Sequence, residues 1–265
     1  MHGHLGMAGL PPYAREMMSQ VLDRTGYPLV LKVSEIKGPG YDAELRMARR
    51  GQSAHELAYT QASSPFVPHL LVSASRKILR MWEVPADERL VEIHEAGRLL
   101  PREDHEELRQ KLPSFMSGEL DQLSHFIYDG MTRQLVDAPV DIRVERELAE
   151  SLPEHQEKQK HYLRQQLHNM GPYFDPQIAK VSPERLYGVS TAMNVVLAAE
   201  CSALTGDSVP SFVRGSRFWS LAQCLRGHLD SNSHPGFLGD RKVIDLWAAE
   251  LGLEGWYRRV RFDEL

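Results

Sequence analysis

Cysteine is scarce: Cys201 and Cys224 are the only two in the chain. Two cysteines cannot supply the disulfide framework that staples small secreted domains. Both fall in helical patterns, so two buried, reduced thiols are expected. Long apolar runs are also missing. No stretch reaches the 18 or so residues that a membrane-crossing helix needs, which argues against a membrane role. The opening MHGHLGMAGLPPY lacks the cationic start and apolar block of a secretory signal, so a cytoplasmic location is expected. Nor is there an excess of positive charge. Lys and Arg total 31 against 36 Asp and Glu, a net charge of -5, and this disfavours a nucleic-acid partner. The Gly38-Pro39-Gly40 loop lacks the Lys and the following helix of a phosphate cradle. No internal repeat or low-complexity tract is present.

What the chain does contain is ordinary globular material. Hydrophobic residues make up 42% and charged residues 25%, enough for a sizeable core in one large or two small domains. Pro11 starts a helix that Gly26 and Pro28 end near Arg24. Leu29 to Ser34 alternates as a strand, and Glu44–Arg49 and Ser53–Thr60 flank Arg50-Gly51 as a hairpin. After the central helix, helical patterns are expected at 86–97, 103–112, 114–136, 140–152, 153–170, 182–204, 211–227 and 241–252. The breaks between them fall at Pro85, Pro113, Pro139, Pro153 and a proline-rich passage from Pro172 to Pro183. The expected fold class is therefore α+β and predominantly α-helical: a small N-terminal sheet, then helices that end in a C-terminal bundle. A soft boundary near 171–183 divides residues 1–170 from 171–265.

The central helix is read at Phe66–Glu83, FVPHLLVSASRKILRMWE. Pro68 suits its first turn, and Leu70, Leu71, Ala74, Ile78, Met81 and Trp82 recur at spacings of three and four, which marks a face in a core. Ser73 and Lys77 are four apart and share a face. That is the relation of the two histidines in an H-E-x-x-H zinc helix, where Ala74 would take the Glu position. A second constellation is Pro139-Val140-Asp141-Ile142-Arg143-Val144-Glu145-Arg146, with Asp141 and Glu145 one turn apart. Such a carboxylate pair can complete a metal site and support it. Its plainer role is to complement the helix dipole and pair with a nearby Arg.

The order of these elements resembles the zinc metallopeptidase-like (zincin) proteins of the ImmA/IrrE type, over most of the chain. The features that carry it are the N-terminal helix, the small sheet with a hairpin, the central helix ending in Ile78-Leu79-Arg80, and the helix PVDIRVERELAESLPEHQEKQ. The resemblance implies a zinc site between the two helices. Asp141 and Glu145 match its carboxylate helix, whereas Ser73, Ala74 and Lys77 depart from H-E-x-x-H at all three decisive positions. Ordinary zinc hydrolysis is thus not expected, and neither is a cofactor. The ammonium of Lys77 is expected to stand in for the metal, with Asp141 or Glu145 as partner, because buried charge needs compensation.

Other readings stay open. His55, His69 or His94 could rebuild a zinc site with Asp141 or Glu145, or Ser73 and Lys77 could act as nucleophile and base. Either would make a hydrolase with an altered site. His155, His161 and His168 lie on a polar helix at spacings of six and seven. The pseudoenzyme reading implies a protein partner, met by strand addition along the 44–60 hairpin edge near Arg46, Arg49 and Arg50. A structural assembly role for the C-terminal bundle is the third possibility.

Overall fold

Pro11 and Pro12 fix the entry of α1 (Pro12–Thr25), and Gly26 closes it in a left-handed cap with φ 76°. In the computed structural model, which describes residues 9–34, 43–93, 97–232 and 234–265, the chain then enters a three-stranded sheet. The strands are β1 (Leu29–Val33), β2 (Ala43–Arg46) and β3 (His55–Tyr59), in the order β1-β3-β2. β3 runs parallel to β1 in the register Leu29↔His55 and antiparallel to β2 in the register Arg46↔Glu56. The hairpin lies where it is expected, with its turn at Arg50-Gly51 and Gly51 at φ 89°. Its strands are shorter than expected, because Ala48 N–H turns to His55 Nδ1 and Arg49 N–H to Gln52 Oε1 instead of continuing the ladder.

One face of this sheet is a charged row: Lys32 on β1, Glu56 on β3, then Arg46 and Glu44 on β2. His55, Leu57 and Tyr59 are buried. A 3-10 turn (Gln61–Phe66) leads into α2 (Val67–Trp82), which packs on α1 and β3. α2 buries Leu70, Leu71, Ala74, Ile78 and Met81 as the apolar spacing predicts, but also His69, Ser75 and Arg80.

The helices after α2 differ from the expected pattern in several places. Residues 86–93 do not form a helix. A 3-10 turn (Ala86–Glu88) precedes β4 (Leu90–Ile93), which pairs with β5 (Arg258–Arg261). That pairing joins residues far apart in sequence, which no local pattern reveals. After α3 (Arg102–Lys111), Pro139 does not break the chain: α4 runs from Ser117 to Ser151. An interior proline costs about 3 kcal/mol by removing one N–H and crowding the preceding turn. Leu135, Ala138 and Ile142, buried on either side of it, offset this.

A 3-10 turn (Pro153–His155) then opens α5 (Gln156–Asn169), and the proline-rich passage forms a 3-10 turn and α6 (Pro176–Val181). α7 (Glu184–Thr205) ends at Gly206 in the left-handed region, as its sequence predicts. The helix expected over 211–227 is two, α8 (Ser211–Arg214) and α9 (Trp219–Ser231), because Gly215-Ser216 interrupts it. α10 (Gly236–Leu251) starts earlier than expected and stops at Gly252. The protein is predominantly α-helical with a small sheet, an α+β fold. Among the described residues no helix is long and apolar enough to cross a membrane.

Two compact units form. The first holds residues up to Leu90, Arg143–Gln165 and Arg261–Leu265, and the second Val91–Ile142 and Gln166–Val260. The chain is thus interleaved between them, where sequence composition suggests a single soft division near 171–183. The second unit has one apolar core, in which Trp247, Tyr128, Leu135, Met193 and Leu225 are fully buried. Cys201 and Cys224 are both free thiols. Cys201 is buried as expected, whereas Cys224 is exposed on α9.

Candidate functional site: a buried histidine pair

Within the first unit, α2, the last turns of α4 and the start of α5 bring together His69, Glu145, His155 and Gln159. All four are buried, with His155 at 0% and His69 at 1% exposure. His69 Nδ1 lies 2.9 Å from His155 Nε2. The two rings are parallel within 1° with centroids 5.2 Å apart, which is the geometry of rings joined edge to edge by a bond in their common plane. On its opposite edge, His69 Nε2 stands 3.2 Å from Glu145 Oε1, an ion-pair distance without good hydrogen-bond alignment. Gln159 Nε2 donates to Glu145 Oε2 and to the Glu145 carbonyl, both at 2.7 Å. Tyr162 covers one face of His69 with ring centroids 4.3 Å apart, and Tyr13 of α1 meets His155 edge-on at 5.1 Å.

The electrostatics follow from burial. Desolvation alone would push the Glu145 carboxyl up. The close approach and charge of His69, the amide of Gln159 and the charge of Lys77 together hold it below its usual value. Burial first, then the charge of His69, pushes His155 down from 6.5 to about 4, against the pull of Glu145. Burial does the same to His55, also to about 4.

The residues picked out in the sequence fall into distinct places. Glu145 and His69 come together. Lys77 is half-buried on α2 and acts on Glu145 through its charge, as the weakest of the influences that lower it. Ser73 is half-buried on the same helix and Ala74 is buried in the core. Asp141 stands one turn before Glu145 on α4, half-buried, in the second unit. His55 lies elsewhere in the sheet. Its Nδ1 accepts from Ala48 N–H, its Nε2 meets Thr25 Oγ1 at 3.1 Å, and Trp82 and Tyr27 pack against its ring. His94 lies outside the described residues. Beside Glu145 and Lys77, the same helix pair carries Glu147 between Arg76 and Arg80, at 2.5 and 2.8 Å.

Gln159 is not flagged by the sequence, and His155 is noted there only for its spacing from His161 and His168, not as a partner of His69. His155 sits in a 3-10 turn behind Pro153, and only the return of the chain after α4 brings it to His69, 86 residues earlier.

A zinc ion does not fit this arrangement. Two nitrogens bound to one tetrahedral zinc at about 2.0–2.1 Å stand about 3.3 Å apart, with both lone pairs converging on the ion. Here the nitrogens face each other directly, and the second nitrogen of His69 points the other way, to Glu145. Among the described residues no group of three or more His, Cys, Asp or Glu side chains is placed to hold a metal ion. The chain matches no protein-family model, no curated protein and no solved structure.

Proposed function

We propose that this chain is a catalytically degenerate, metallopeptidase-like protein that acts by binding another protein, as a regulatory or scaffold subunit. The observation that carries this reading is the engagement of His69. Where a zincin-type protein would hold its ion between two helices, both ring nitrogens of this histidine face protein groups, and Lys77 adds a positive charge near the same carboxylate. The Ser73, Ala74 and Lys77 positions supply neither the two imidazoles nor the glutamate base of H-E-x-x-H. The partner surface is the β2 edge of the hairpin. Among the described residues β2 pairs with β3 on one side only, and Arg49 and Arg50 are exposed beyond it, which suits an extended segment carrying acidic residues.

Three measurements on the purified chain test this. Elemental analysis after a chelator wash is expected to find zinc well below one per chain, and casein digestion is expected at background level. Capture of partners from the cell of origin is expected to fall when Leu45→Pro removes a β2 backbone donor while circular dichroism stays unchanged. One zinc per chain that survives the wash and is lost in Glu145→Gln would overturn the reading.

A further inference from the structure

α2 and the head of α5 meet at two depths. Inside is the His69–His155 contact at 2.9 Å. Further out is a cleft of about 160 Å³, lined by Pro65, Phe66, Pro68 and His69 from one side and Lys158 and His161 from the other. The contact and the cleft therefore join the same two pieces of chain.

We propose that the His69–His155 pair is a proton-operated latch, whose rupture on acidification releases the Pro153–His155 turn and the head of α5 from α2 and opens this cleft. The argument is a count of protons. Two imidazoles carry between two and four ring protons. A bond between facing nitrogens needs one N–H and one lone pair, so the contact survives with two or three protons. It cannot survive with four, because two N–H groups then point at each other between two cations. The fourth proton can be accepted only by parting the rings. His155 Nδ1, fully buried, has no hydrogen-bond partner among the described residues, so no acceptor there rewards the added proton.

The charges around the pair set the direction of its response. α4 supplies Glu145, which faces His69 and offsets one positive charge. α2 supplies Lys77, a further positive charge on the same carboxylate. α1 supplies the Tyr13 ring edge, near which Glu154 acts. α5 supplies the neutral amide of Gln159 and the ring of Tyr162, with Lys158 and His161 at the cleft. One carboxylate therefore balances one imidazolium and not two. The low titration of His155, about 4 against 6.5 when free, has the same sign. Opening takes up one proton, so acidification below 6.5 favours it, with the full effect reached near 4. The latch depends only on the pair and stands apart from the protein-binding reading.

Hydrogen exchange read by mass spectrometry on the full chain tests this, at pH 7.5 and pH 4.5 with rates corrected for intrinsic pH dependence. Peptides covering 153–165 are expected to exchange at least tenfold faster at the lower pH, while α7 keeps its protection. His155→Gln, which cannot become a cation, is expected to erase the difference. Equal loss of protection in α7, or a difference that persists in His155→Gln, overturns the latch. If that variant does not fold, ring NMR of the wild-type histidines decides. His155 titrating far below an exposed imidazole, in step with shifts of the α5 amides, supports the latch. A His155 that titrates like an exposed ring while those amides stay still overturns it.

Discussion

The two units differ in which titratable side chains they bury: the second encloses the carboxyl groups of Asp104, Glu200 and Asp240 and no described histidine. The second closes on an apolar cluster of Leu, Val, Met and Trp from α3, α4, α7, α9 and α10. The first buries all three of the fully enclosed histidines among the described residues, His55, His69 and His155, together with Arg80 and Glu145. An apolar interior is held by area and shape, neither of which changes with pH. A polar interior is held by matched donors, acceptors and charges, each of which fails if its partner is removed or its protonation changes. The contrast places the buried described histidines, and the pH response that comes with them, in the first unit.

The largest expected effect tests the apolar side of this contrast. Trp247→Ala removes a fully buried ring whose N–H donates to the Leu225 carbonyl, at a cost of about 3–5 kcal/mol. Urea denaturation should give the same loss at pH 5.5 and pH 7.5, and a loss that changes with pH would break the comparison. Next is Glu145→Ala, which strips His69 of its ion-pair partner and Gln159 of its acceptor and costs about 3 kcal/mol at neutral pH. A loss under about 1 kcal/mol would mean that the carboxylate is not balancing buried charge.

The third prediction concerns acid. His55 and His155 both drop from 6.5 to about 4 on folding, so between those values the unfolded chain binds more protons than the folded one. Their contribution is complete above pH 6.5 and is lost as pH falls toward 4. The lowered Glu145 has the same sign, with its contribution complete above 4.5 and lost below. Melting temperature should therefore decline steadily from pH 7 to pH 4, and less steeply in a His55→Gln, His155→Gln double variant. Parallel profiles for wild type and double variant would sink this. The smallest effect separates two lysines. Lys32, with its side chain 57% exposed on the sheet, should tolerate Met within about 0.5 kcal/mol. The half-buried Lys77 should lose about 1 kcal/mol or more on Lys77→Met. A melting shift under a degree for Lys77→Met would remove it as the stand-in cation.

Much of the fold was legible where structure is local. Pro11 and Gly26 bracket α1, the three-four spacing of Leu70, Leu71, Ala74 and Ile78 marks α2, and Gly206 ends α7. The errors came where distant partners override local signals. Leu90–Ile93 reads as helix until β5 pairs with it, and Pro139 reads as a break until the packing of Leu135 and Ile142 carries α4 through. The site was half legible. Glu145 was marked by its spacing from Asp141, but the partner that meets it is His69, four residues before Ser73, and not Lys77 alone. No spacing pointed to His155.

Composition and periodicity were sufficient for the fold class, the hairpin, the central helix and the carboxylate opposite it, since each rests on propensities and apolar spacing within a short window. Which unit each segment joins, and which histidines lie against each other, was decided by folding over long distances. Hydrogen-bond partners in a closed interior are set by the path of the chain, and residues 69 and 155 meet only because α4 and the turn after it bring one back to the other.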